Sequence, residues 1–455
     1  MSKQAITRRR FVGTAAATAG WCLGPLSTRG QDDAAGASIA AETPVPNAPI
    51  GTARGLHPGR VVWTHEPAAT LWKGPGEGHW WENTHTDQAL VEHMTSRTLR
   101  ELTGADADAD AWDRLFRYLN RARGKGDVGY RPGEKIAVKV NFVGFIWRWD
   151  AVDPESYRLK GRMDYMNTSP QVMLAVLRQL TSKVGVKQTD IVLGDTLACF
   201  PDEYYQTLHA AFPQVQYVDH KGLFGRLAAE PSSVPLHWSC RPEGCCQDYV
   251  PECFARADYM INLANLKSHT AAGVTLCAKN HYGSLVRWPA EEGYYDLHQT
   301  AFAPGMGKYR NLVDLMGHAH FGGKTLLYLI DGLYAGRHPI DNAPMKWNSS
   351  PFDGHWTSSL LASQDPVAID SVGLDFLRAE WDDYPHKSGT EDYLHEAAAA
   401  NDPPSGTFYD PDHADEVARL ASLGVHEHWN NPRDKQYTRN LGTGQGIELV
   451  AARRG

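Results

Sequence analysis

The chain has 455 residues, a formal net charge of −8 and 22% charged residues, a balance that argues against a phosphate-tracking surface and so against a nucleic-acid partner. Its 14 Trp and 19 Tyr are ample for a large core, and Trp80, Trp81, Trp147 and Trp149 are the cluster that could instead line a pocket.

In chain order, Thr7-Arg8-Arg9-Arg10-Phe11-Val12-Gly13 sets paired arginines before a mild Ala- and Gly-rich run reaching about Leu26. That is the layout of a twin-arginine signal peptide, assigned to residues 1–30, with the twin-arginine translocase as partner during export. The run is shorter than a spanning helix needs and is broken by Gly24-Pro25, so cleavage is expected to leave no stable membrane anchor and a periplasmic or extracellular protein. Residues 31–58, rich in Ala, Pro and Gly without hydrophobic period, read as a disordered leader. The remainder, 59–455, reads as one α/β domain with insertions.

Strands are expected at Lys135–Phe142, Asp190–Asp195, Val215–Val218, Tyr259–Leu263, Thr325–Ile330 and Ser359–Ala362. Between them, Ser169-Pro170 opens a helix with Val172, Val176, Leu177 and Leu180 at helical spacing, stopping near Gly185. Another runs from Pro366 to about Glu380. The alternation predicts a mostly parallel sheet with helices on both faces. In such sheets ligands gather beyond the carboxyl ends of the strands. The polar residues that fall there are Asn141, Asp195, Thr196, Lys267, Ser268, His269 and Asp331.

The densest chemistry lies between Asn262 and Gly283, where Lys267, His269, Gly273, Thr275, Lys279, Asn280 and His281 share one strand–loop–helix stretch. Glycine allows close backbone approach and the basic side chains can converge on an anion or a metal. Lys267, His269, Lys279, Asp195 and Asp331 are therefore the candidate catalytic residues, and Asn141, Gly273, Thr275 and Asn280 the candidate cofactor-binding ones. His269 would serve as acid, base or metal ligand, and Lys279 as electrostatic stabiliser or attachment point.

Tyr259–Gly283, the Lys139-Val140-Asn141 strand end, the Gly194-Asp195 turn and Leu360–Asp370 together resemble the domain of unknown function 362 family, and Ser422–Asn431 and Gln436–Asn440 resemble its exported members. Many such relatives carry an appended ferredoxin-like Cys-x-x-Cys-x-x-Cys run that would hold an iron-sulfur cluster; this chain has none. A fainter similarity links His269, Gly273 and Lys279 to the lactate racemase segment that holds a nickel-pincer cofactor, although Leu276-Cys277-Ala278 replaces the glycine pair usual before that lysine.

Cys240, Cys245, Cys246 and Cys253 form the one dense cysteine group. Its gaps match neither a zinc ribbon nor a usual cluster run, and it is open to disulfides, a metal ion or iron-sulfur cluster, or free thiols. Three functions follow: a cofactor- or metal-dependent enzyme using the Lys/His/Asp site on a small-molecule substrate, a metal-binding redox protein using the cysteines, or an exported binding module for an anionic small molecule or a cell-envelope sugar. Glu391 with His395, and His318 with His320, are further pairs that fit either ligands or solvated side chains.

Overall fold

Runs such as Ile136–Lys139 and Ile191–Gly194 are short and apolar on both faces, so they are stable only when covered from either side. The computed structural model describes residues 47–147, 150–238, 247–288, 306–308, 310–338, 340, 341, 343–408, 411, 412 and 420–453, and in it both runs are wholly buried. They belong to a ten-stranded sheet. Its members are β1 (Arg60–His65), β2 (Ile136–Lys139), β3 (Ile191–Gly194), β4 (Gln216–Asp219), β5 (Leu227–Ala228), β6 (Tyr259–His269), β7 (Gly273–Thr275), β8 (Thr325–Gly336), β9 (Ser359–Ser363) and β10 (Glu448–Arg453). The spatial order is β10-β1-β9-β8-β6-β2-β3-β4-β5, with β7 folded back onto β6. Only β7 and β9 run against the rest.

Helices cover both faces, as the alternation of elements requires. On one side α1 (Gln88–Thr103), α2 (Asp108–Ala122), α3 (Pro170–Arg178) and α4 (Asp202–His209) bring Val91, Leu115, Val172 and Leu208 into a single apolar layer. On the other, α5 (Asn311–Gly317), α6 (Pro366–Glu380) and α7 (Asp392–Ala398) bring Val313, Val372 and Leu394 into a second. Each such side chain, fully buried, contributes about 1.5–3 kcal/mol. Their starts are fixed locally: Ser169 Oγ accepts from Val172 N at 3.2 Å, and Asp365 Oδ1 from Val367 N and Ala368 N at 3.1 and 2.9 Å. A cap of this kind is worth about 1 kcal/mol. After α3 the chain widens into a π turn, Gln179–Val184, and stops at Gly185, whose φ of 82° favours glycine.

Three features depart from the expected pattern. Strands β6 and β8 run well past Leu263 and Ile330, so that Lys267, Ser268 and His269 lie within β6. Strands β1 and β10, not anticipated, pair in parallel at the far edge. Ile50–Gly51, inside the stretch read as leader, pairs antiparallel with Val425–His426. Among the described residues no helix is long and apolar enough to cross a membrane.

Candidate functional site

Strand β6 is the centre of the site because it outruns its neighbour. It pairs with β2 only as far as Asn262, opposite Lys139, and runs on to His269, with β7 folded back on it from Lys267 onward. The polar residues beyond Asn262 therefore overhang the carboxyl end of β2. Such side chains are buried only if the protein itself meets their hydrogen bonds.

The floor is an ion pair. Lys139 is fully buried; its Nζ donates to Asp195 Oδ2 at 2.9 Å, to Asn280 Oδ1 at 3.0 Å and to the Val140 carbonyl. Burial pushes its pKa down, and Asp195 opposes that shift. Asp195 also accepts from Leu197 N at 3.0 Å and Phe142 N at 3.3 Å. Gly283 lies directly on this pair: a Cβ there would stand 2.7 Å from both Asp195 oxygens and 2.9 Å from Lys139 Nζ. Its carbonyl accepts from Thr196 Oγ1 at 2.9 Å. Here the glycine makes room for a salt bridge, not for a ligand.

Asn280 knits the floor together. Its Oδ1 accepts from Lys139 and from Asn141 Nδ2 at 3.2 Å, and its Nδ2 donates to Asn262 Oδ1 at 2.8 Å and to the Lys139 carbonyl at 3.3 Å. Read from sequence as a cofactor contact, Asn280 has both ends of its amide engaged within the protein.

Above the floor stands Lys267, also fully buried, whose Nζ donates to Asn141 Oδ1 at 2.6 Å and to the Met166 carbonyl at 2.5 Å. Both acceptors are neutral. Burial, then repulsion from Lys279, holds its pKa well below the usual lysine value, with Asp331 and Asp195 pulling the other way. Asp331, opposite Asn265 in the register, accepts from Ser169 N at 2.8 Å and Leu333 N at 3.0 Å. Burial raises its pKa, and these backbone donors and Lys267 counter the rise. Lys279 is buried in the short helix Cys277–Asn280, its Nζ 5.2 Å from the Tyr282 ring centre. Asp370 fixes that helix by accepting from Cys277 N at 2.8 Å and Ala278 N at 3.0 Å. Thr275 sits opposite Lys267 across the β6–β7 hairpin.

Thus Asn141, Asp195, Lys267, Lys279, Asn280 and Asp331 gather at one place, with Thr275 adjoining. His269 and Gly273 lie further out, at the hairpin end. The His269 ring accepts at Nδ1 from Ala271 N and Ala272 N, at 3.0 and 3.1 Å, which places its proton on Nε2. Gly273, at φ 81°, packs on Thr390, whose Oγ1 would be 2.0 Å from a Cβ. That contact, rather than a cofactor, explains the glycine.

Lys139, Asn262, Asn265 and Thr168, whose Oγ1 accepts from Asn141 N at 2.8 Å, also belong to the site, and none of them stands out in the sequence as a candidate. The available signal was a polar residue inside an apolar run: Lys139 in β2 and Asn262 in β6 face each other across the register. Of the aromatic cluster, Trp80 is core, with Nε1 donating to the Asp164 carbonyl at 3.2 Å. Trp147 stacks on His220 at 4.3 Å, and Trp149 lies outside the described residues.

Cys240, Cys245 and Cys246 likewise lie outside them. Cys253 is partly buried, its thiol pushed up to about 12 by burial. Among the described residues no three His, Cys, Asp or Glu side chains converge as metal ligands would. Glu391 engages Arg378 and, at 3.0 Å, His428 Nε2, whereas His395 packs on His426. His318 is buried with Nε2 3.3 Å from the Pro235 carbonyl, and burial holds both it and His320 at about 4.

Fold and site thus define an α/β protein with a lysine-rich polar site at the carboxyl edge of its sheet. Residues 154–375 match the family described as Domain of unknown function (DUF362). The matched stretch holds Asp195, Lys267, Lys279 and Asp331, while Lys139 and Asn141 precede it. No curated protein matches the chain.

Proposed function

We propose that the chain is an enzyme acting on an anionic small molecule, held between Lys267 and Lys279, with Lys267 as the group that takes up or delivers a proton. The observation that carries this reading is the placement of Lys267: fully buried, bound to neutral acceptors and repelled by Lys279. Burial of an ammonium without a bonded carboxylate is costly, so the free site favours the neutral amine, and an incoming anion restores the charge. A site built only to bind gains nothing from that arrangement. An acid–base lysine needs it. Asp331 opposes the shift and Lys139–Asp195 fixes the floor. On this reading the protein works after export, as the arginine-bearing N-terminus suggests.

Binding should then be coupled to proton uptake by Lys267. Thermal-shift titration with inorganic phosphate and with malonate, from pH 6 to 9, tests it. At least one anion should stabilise wild-type protein more strongly at low pH, and Lys267→Met should remove both the stabilisation and its pH dependence. Stabilisation unchanged in Lys267→Met would overturn the assignment. A second use, a metal or iron-sulfur site at Cys240, Cys245, Cys246 and Cys253, is decided by elemental analysis of anaerobically purified protein.

A further inference from the structure

The inference here rests on the anion site just proposed and concerns what else its ligand must carry. Two buried polar atoms beside Lys267 have no hydrogen-bond partner: Asn265 Oδ1 and Thr275 Oγ1, each in a side chain 3% exposed. Both are placed by the sheet. Asn265 is two residues before Lys267 on β6, hence on the same strand face, and Thr275 is the residue opposite Lys267 in the hairpin.

The orientation of the Asn265 amide is determined by its other end. Its Nδ2 donates to the Asn167 carbonyl at 3.0 Å. A flipped amide would set two oxygens against each other, so Oδ1 is the end left open. An amide oxygen can only accept. Lys267 does not serve it, because the lysine's donors go to Asn141 Oδ1 and the Met166 carbonyl. An acceptor buried this deeply costs stability unless something donates to it.

We infer that the ligand carries a hydrogen-bond donor, a hydroxyl or an amine, beside its anionic group. The anion lies between Lys267 and Lys279, the Thr275 hydroxyl donates to it, and Asn265 Oδ1 accepts from the neighbouring donor. Substrates of this class are hydroxy- or amino-carboxylates and phosphorylated polyols. Lysine ammoniums are point charges that do not choose between carboxylate and phosphate.

Matched pairs test this on the full mature protein: glycerate against propanoate, and glycerol 3-phosphate against propyl phosphate, each titrated by calorimetry. In whichever pair binds, the hydroxyl-bearing member should bind on the order of tenfold tighter or more, since its deoxy partner leaves Asn265 Oδ1 unpaired. Asn265→Leu should erase that preference by lowering the hydroxyl-bearing member to the affinity of its deoxy partner, while Thr275→Val should weaken both members of the pair alike. Equal affinity of the two members in wild-type protein overturns the inference and leaves the anion site standing. Failure of all four compounds to bind would count against both. The wild-type comparison stands alone if either variant fails to fold.

Discussion

Removing the Lys139 ammonium is the perturbation whose size the structure defines best. Lys139→Met keeps the aliphatic stem and takes away a donor to Asp195, Asn280 and the Val140 carbonyl. The partners cannot turn to solvent: the two side chains of the ion pair are 0% and 7% exposed. Stripping one member from a buried pair costs about 3–5 kcal/mol, because a carboxylate is left without its countercharge. Asp195→Asn should be costly for the converse reason. The double variant removes both charges together, so its loss should fall short of the summed single losses by about 2 kcal/mol or more. Urea unfolding of the four proteins, followed by tryptophan fluorescence at pH 7, measures this coupling. Losses that add to within about 0.5 kcal/mol would refute the claim that the pair is a structural unit.

Gly283→Ala should destabilise the fold by about 1–3 kcal/mol, since its methyl would enter the same buried ion pair, and thermal denaturation checks it. His428 provides a pH test away from the site. Hydrogen bonds to Asp375 and Glu391 raise its pKa from 6.5 to about 9. The stability this adds is fully present below about pH 6.5 and is lost as pH rises through 9. Taken whole the shift is worth about 3 kcal/mol, but the side chain is 37% exposed, so about 1–2 kcal/mol is expected after solvent screening. The gap between wild type and His428→Asn should thus close between pH 6.5 and 9, and a gap that widens contradicts it. Finally, Gly273→Ala should cost about 2 kcal/mol or more and be partly rescued by Thr390→Ala, because the clash is with that side chain while the positive φ remains.

The sheet and its two helical layers were legible because their signals are local. Ser169-Pro170 and Asp365-Pro366 announce helices by capping chemistry, and Ile136–Lys139 announces a buried strand by composition. The half of β6 beyond Leu263 was hidden because Asn265 and Lys267 interrupt its apolar pattern. Their burial is met by residues far along the chain, such as Asn141 and Met166, which no local window contains. The same holds for Lys139, which looks like an ordinary strand residue until Asp195 and Asn280 fold against it. Glycine misled in the opposite direction. Gly273 and Gly283 looked like room for a ligand, yet Thr390 and the Lys139–Asp195 pair occupy that room. His269 was legible as a polar strand end, but the turn that occupies its Nδ1 forms only once the hairpin closes.

An anion seated between Lys267 and Lys279 would be located most directly by anomalous scattering from a crystal of the protein soaked in selenate. The expected result is a selenium peak within hydrogen-bonding reach of both Nζ atoms, absent from Lys267→Met crystals. Peaks confined to surface arginines and lysines, with the carboxyl edge of β6 empty, would contradict it.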